Sequence, residues 1–123
     1  MLANALRVAP AGSTLTIDRR TTPDGDAVEL HVIDEGPGMT PADRRRAFDR
    51  FWRAPDATDD GSGLGLAIVA QLVRASGGTV ALDAAPGTGI DAAVRLRSAT
   101  RDRRAGWDRS PARHRHPQTA ARV

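Results

Sequence analysis

At 123 residues, with no cysteine, no tyrosine and only 3% aromatic residues, the chain has room for one domain whose core must rest on Leu, Val, Ile and Ala. The absence of cysteine excludes a disulfide framework and a thiolate metal site, and no apolar run approaches the roughly 18 to 20 residues that span a bilayer. The formal charge of +3 is carried entirely by arginine against Asp and Glu, and it is unevenly placed: residues 1–100 hold 11 Arg against 13 acidic residues, whereas residues 101–123 hold 7 Arg against Asp102 and Asp108.

In chain order, Leu2 to Val8 reads as the end of a helix, with Leu2, Ala5 and Leu6 on one face, stopped by Pro10, Ala11 and Gly12. Thr14 to Asp18 alternates and predicts a strand with Leu15 and Ile17 to one side. Pro23-Asp24-Gly25-Asp26 is a turn, because Pro presets φ and Gly accepts a positive one. Ala27 to Ile33 predicts the second strand of a hairpin, with Val28, Leu30 and Val32 together. In it, His31 reads as a surface residue beside Glu29. The residues Thr40 and Pro41 mark an N-cap and a first helical position, and a short helix then runs to about Phe48. From Arg53 to Ser62 the chain is polar and reads as a loop. A long helix follows from Gly63, with Ile68, Val69, Leu72 and Val73 at helical spacing, and Gly77-Gly78 ends it. Thr79 to Asp83 and Ile90 to Leu96 predict a last hairpin around Pro86-Gly87-Thr88-Gly89. These elements define residues 1–98 as the domain. Residues 99–123 are too poor in apolar residues to offset their ordering entropy and read as a disordered arginine-rich tail. The order suits an α+β two-layer sandwich, with helices on one face of a sheet.

Three segments carry chemistry. Asp34-Glu35-Gly36-Pro37-Gly38-Met39 follows a strand directly. A carboxylate there accepts a hydrogen bond from an exocyclic amine, and glycine lets a flat ring approach. Alone, the segment also fits an ordinary strand-to-helix turn. Gly61-Ser62-Gly63-Leu64-Gly65-Leu66 opens the longest helix, where main-chain N–H groups bind anions. It is no Walker loop, since the chain has no lysine, and no dinucleotide fingerprint, since a polar loop precedes it. A flexible hinge capping the helix is the other reading. Asn4 stands on the first helix, where an amide oxygen suits a hard cation such as Mg²⁺, or simply faces solvent.

Taken together, Asn4-Ala5-x-Arg7, then Asp-x-Gly-x-Gly, then Gly-x-Gly-Leu-Gly-Leu resembles the ATP-binding domain of sensor histidine kinases. That family is related to the gyrase, heat-shock chaperone and mismatch-repair ATPases. Phe48-Asp49-Arg50-Phe51-Trp52-Arg53 is similar to the aromatic box that these kinases place between their glycine boxes. The likeness covers about residues 2–97. It implies ATP and Mg²⁺ as cofactors, with Asp34 on the adenine amine and Gly36 and Gly38 shaping the adenine pocket. Gly61, Gly63, Leu64, Gly65 and Leu66 would pack against the phosphates, and Asn4 would lie near Mg²⁺. Residues 39–62 would form a lid anchored by Phe48 and Phe51, with Arg50 or Arg53 reaching phosphate or a partner domain. For the two Phe, simple core packing stays open beside that role. The resemblance further implies a first helix and strand upstream of Leu2, and a phosphoacceptor histidine on a separate helical domain, so no catalytic residue falls within this chain. A response regulator would accept the phosphoryl group next. The domain would be cytoplasmic, in a parent anchored at the inner membrane, with no membrane contact of its own. In place of the family's usual Gly-x-Gly-Thr, this chain has Gly87-Thr88-Gly89-Ile90, which loses a hydroxyl. Other readings are a single-domain nucleotide switch of the anti-sigma-factor kinase type, an inactive kinase fragment, and non-specific nucleic-acid binding through the arginines of the tail, the last weaker than a plain disordered extension.

Overall fold

A computed structural model describes residues 1–55, 61–98 and 119–122. The chain forms helix α1 (Leu2–Val8), strands β1 (Thr14–Thr21) and β2 (Ala27–Ile33), helices α2 (Pro41–Arg46) and α3 (Gly65–Ala75), and strands β3 (Thr79–Ala84), β4 (Ile90–Arg97) and β5 (Thr119–Arg122). The strands make one sheet in the order β3-β4-β2-β1-β5, and every neighbouring pair is antiparallel. The mixed α/β architecture is the one read from the sequence.

Register explains the two layers. Ile17 lies opposite Val32, Val32 opposite Ala92, and Ala92 opposite Leu82; Leu30 lies opposite Val94, and Val94 opposite Val80. Side chains directly opposite one another share a face, so one side of the sheet is apolar and the other carries Asp18, Glu29, His31, Asp91 and Arg95. Helix α1 packs on β2, while α2 and α3 pack on β3. Ala5 of α1, Leu15 of β1 and Val32 of β2 form one buried cluster, with Met1 against it. Alanine makes up much of the core: Ala5, Ala27, Ala47, Ala70, Ala85 and Ala92 are buried beside Leu15, Val32, Val73, Ile90 and Val94, and no large side chain is completely enclosed.

Local chemistry sets the helix ends. The Thr40 hydroxyl accepts the Asp43 N–H at 3.1 Å, and Pro41 occupies the first turn of α2. That helix stops at Arg46, short of Phe48. Helix α3 starts at Gly65 because Gly63 has φ +66°, which no right-handed helix contains.

Four expectations are corrected. On α3 the buried residues are Ala70 and Val73, whereas Ile68 and Leu72 are exposed. On α1 only Ala5 is buried; Leu2 and Leu6 are exposed. His31 is no surface residue: it is buried, and its Nδ1 donates to Asp91 at 2.9 Å. Residues 119–122 of the expected disordered tail instead pair with β1, Thr14 opposite Arg122 and Ile17 opposite Thr119, because the free edge of β1 offers main-chain partners. Residues 99–118 and 123 lie outside the described residues.

Candidate nucleotide-binding site

Strand β2 ends at Ile33 and delivers Asp34 to the edge of the apolar layer, where only 5% of the residue is exposed. The Asp34 Oδ1 atom accepts two main-chain hydrogen bonds, from Gly36 N–H at 2.9 Å and from Ile90 N–H at 3.3 Å. The Asp34 N–H donates in turn to Ile90 O at 3.0 Å. Among the described residues no donor reaches Oδ2. A buried carboxylate held by one oxygen with the other oxygen unpaired is suited to receive a donor from outside.

The glycines around it are sites of close approach. A side chain at Gly36 would meet Asp34 Oδ1 at 2.9 Å and the Val8 carbonyl oxygen at 3.1 Å, so α1 ends directly against this loop. At Gly38 it would meet Gly89 O at 3.4 Å. The next residue to Asp34, Glu35, accepts the Thr14 N–H at 2.7 Å and ties the loop to the start of β1.

The second glycine box meets the first helix. A side chain at Gly65 would meet Asn4 Oδ1 at 3.4 Å, so the amide of α1 lies at the N-terminus of α3. No side chain caps that terminus, which leaves first-turn N–H groups open to an anion. Leu64 and Leu66 flank Gly65 and are half-buried, as is Gly61. Gly63 is packed against the main chain of the aromatic box: a side chain there would meet Phe51 C and Trp52 O at 2.8 Å, and the Phe51 N–H donates to Gly63 O at 3.0 Å.

The aromatic box departs from the expected anchoring. Phe48 is half-buried and lines a cleft with Pro41, Arg44, Arg45 and Leu82, so it holds α2 to β3. The Phe51 side chain is 72% exposed, and its residue has φ +64°; its anchoring is by main chain, to Gly63. Arg50 and Arg53 line an open depression with Asp43, Arg46, Asp49, Trp52 and Pro55. That depression does not include Asp34, and the chemistry at Asp34 outweighs its size.

Among the described residues no group of three or more His, Asp or Glu is arranged to hold a metal ion. The Asn4 amide oxygen at the open end of α3 is a hard donor, and it suits Mg²⁺ that draws its other ligands from phosphate and water. Sequence reasoning missed Gly89 and the Ile90 N–H as parts of the site. Their signal was present, a Pro-Gly-x-Gly turn, but its contact with Asp34 spans 56 residues.

Comparison with known proteins gives the class of this fold, a nucleotide-binding ATPase domain. The model of the histidine kinase-, DNA gyrase B- and HSP90-like ATPases matches residues 1–100, and the chain belongs to that family. Its curated relatives are sensor kinases. The sensor-like histidine kinase SenX3 of Mycobacterium tuberculosis is 40% identical over 92 residues, covering 72% of this chain and 22% of that protein. The histidine-protein kinase/phosphatase MprB of Mycobacterium leprae is 44% identical over 89 residues, covering 71% and 17%. The chain thus spans about a fifth of the length of these relatives. Among solved structures, mycobacterial MprB superposes with a TM-score of 0.72 at 36% identity, over 78% of this chain and 66% of that one. Full-length ShkA in complex with AMPPNP superposes at 0.61 and 37% identity, over 76% and 19%.

Proposed function

We propose that this chain is the ATP-binding catalytic domain of a two-component sensor histidine kinase. The observation that carries the proposal is that helix α1 touches both glycine segments: Val8 lies against Gly36 of the Asp34 loop, where one carboxylate oxygen is unpaired, and Asn4 lies against Gly65 at an uncapped helix end. Asp34 Oδ2 receives the adenine amine. Gly36 and Gly38 let the loop pack tightly beside Asp34 and so shape the border of the base pocket. The first-turn N–H groups of α3 bind phosphate oxygens, and Asn4 Oδ1 takes a place in the shell of Mg²⁺, which neutralises phosphate charge when bound.

In the parent kinase the γ-phosphoryl group passes to an imidazole nitrogen of a histidine on a separate domain. The bond from γ-phosphorus to its bridging oxygen breaks as the new P–N bond forms, and ADP leaves. The domain contributes positioning and electrostatics, as is general in phosphoryl transfer. An aspartate of a response regulator is the next acceptor. The reading places the domain in the cytoplasm; among the described residues no helix is long and apolar enough to cross a membrane.

The test is calorimetric titration of the chain with AMPPNP and Mg²⁺, beside Asp34→Ala. Saturable binding that the substitution weakens at least about tenfold supports the reading. A folded chain that binds no nucleotide overturns it.

A further inference from the structure

Asp34 is held on one side only. Its Oδ1 atom takes the N–H groups of Gly36 and Ile90, at 2.9 and 3.3 Å, while Oδ2 takes nothing. Behind it stands Gly89, buried, with φ +100°. A methyl group on Gly89 would lie 2.8 Å from Oδ1 and would overlap the Asp34 carbonyl. The neighbouring Gly87 has a similar φ of +97° but open space around it. The close packing is therefore particular to Gly89.

We propose that Gly89, with the N–H groups of Gly36 and Ile90, forms a clamp that fixes which face of residue 34 meets the base, and so determines nucleobase selectivity. The inference rests on the nucleotide reading above and deepens it. Two N–H donors demand an acceptor at the Oδ1 position. The atom at the Oδ2 position is then the only one presented outward. For aspartate that atom is an acceptor and selects a base edge bearing an amine. For asparagine in the same clamp, the amide oxygen must face the two N–H groups, which leaves the NH₂ outward as a donor. A donor selects a base that carries a carbonyl in place of the amine. The clamp therefore requires that Asp34→Asn invert selectivity from adenine to hypoxanthine, where a carboxylate free to rotate would only lose affinity. Gly89 is a positioning residue in this scheme and touches no nucleotide.

The experiment titrates ADP and inosine diphosphate into the full chain, its Asp34→Asn variant, Gly89→Ala and the control Gly87→Ala. The wild type is expected to favour ADP, and D34N to favour inosine diphosphate, each by about tenfold or more. G89A is expected to bring the ratio toward one, while G87A keeps the wild-type ratio, because both carry the positive-φ strain but only the first meets Asp34. A merely structural role would lower both affinities together and leave the ratio unmoved. If D34N weakens both nucleotides alike, or still favours ADP, the clamp is wrong. If G89A fails to fold, D34N, which keeps both main-chain bonds, decides alone. A folded wild type that does not distinguish the two nucleotides sinks the adenine reading itself, and the clamp with it.

Discussion

Asp91 of β4 holds the imidazole of His31 on β2, with Nδ1 2.9 Å from Oδ1 and 3.0 Å from Oδ2, on the sheet face away from the helices. The other ring nitrogen, Nε2, is buried without a hydrogen-bond partner, 3.8 Å from Glu29 Oε2. The carboxylate thus supplies the ring's one good partner. Replacing Asp91 with Ala leaves both nitrogens unsatisfied in a buried position, and a loss of about 1–3 kcal/mol is expected. Urea unfolding of D91A beside wild type reads it. An unchanged midpoint would mean that the pair is solvated in solution.

Gly63 is expected to be the least replaceable residue of the second glycine box. Alanine there adds strain at φ +66° and a methyl 2.8 Å from the main chain of Phe51 and Trp52. Gly12, with φ +82° and nothing within 4 Å, isolates the strain alone. Melting curves should place G63A below G12A, the gap being the steric part, on the order of 1–3 kcal/mol. Equal melting points would mean that the Phe51–Gly63 contact is loose.

Gly65→Ala is expected to lower affinity with little change in stability. Gly65 is the first residue of α3, where alanine's interior advantage as a helix former is small. Its methyl would stand 3.4 Å from Asn4 Oδ1, where the proposed site puts phosphate and Mg²⁺. An unchanged melting temperature with AMPPNP affinity down about tenfold is the expected pair of results. Unchanged affinity would remove Asn4 from the site.

The β5 contact is tested by Ala121→Pro. Proline removes a donor and blocks pairing with Leu15. Hydrogen exchange is expected to quicken at residues 14–17 and to stay slow in β2 and β4, with a stability change below about 1 kcal/mol. Loss of protection across the whole sheet would show instead that β5 is integral to it.

The first hairpin carries a pH signature. The Thr22 hydroxyl, and then the Asp26 N–H, hold the Asp24 carboxyl below its ordinary value near 3.8. A depressed carboxylate stabilises the turn above its unfolded pKa, and that contribution is lost as pH falls through the folded one. Thr22→Val is expected to return the Asp24 titration toward 3.8, as followed by NMR; an unmoved titration would show that the hydroxyl bond does not form.

Local signals were readable from the residues, and long-range ones were not. The bounds of β2 follow from alternation, and the start of α2 from Thr40 and Pro41, because both depend on neighbours a few positions away. Asp34, Asn4 and the glycine boxes were legible as motifs. The role of Gly89 was not, since its meaning lies in Asp34, which the turn meets only after folding. Helical spacing singled out Ile68, Val69, Leu72 and Val73, of which Val73 is buried; periodicity alone cannot say that Ala70 turns inward with it while Ile68 and Leu72 stay exposed. His31 was misjudged for a related reason: alternation put it on the polar face, but the Asp91 carboxylate that its Nδ1 meets comes from β4, 60 residues on.

The alanine-lined interior gives the site a mechanical property. Ala5 is the residue after Asn4, and Ala70 lies on α3, the helix that Gly65 opens; both are buried. A larger side chain at either position presses its helix outward from the sheet. Because Asn4 and Gly65 ride on those two helices, the span between them widens with that shift. With phosphate held as proposed, interior volume becomes a dial on its grip, and graded substitutions at Ala5 and Ala70 offer a way to retune nucleotide affinity from outside the proposed site.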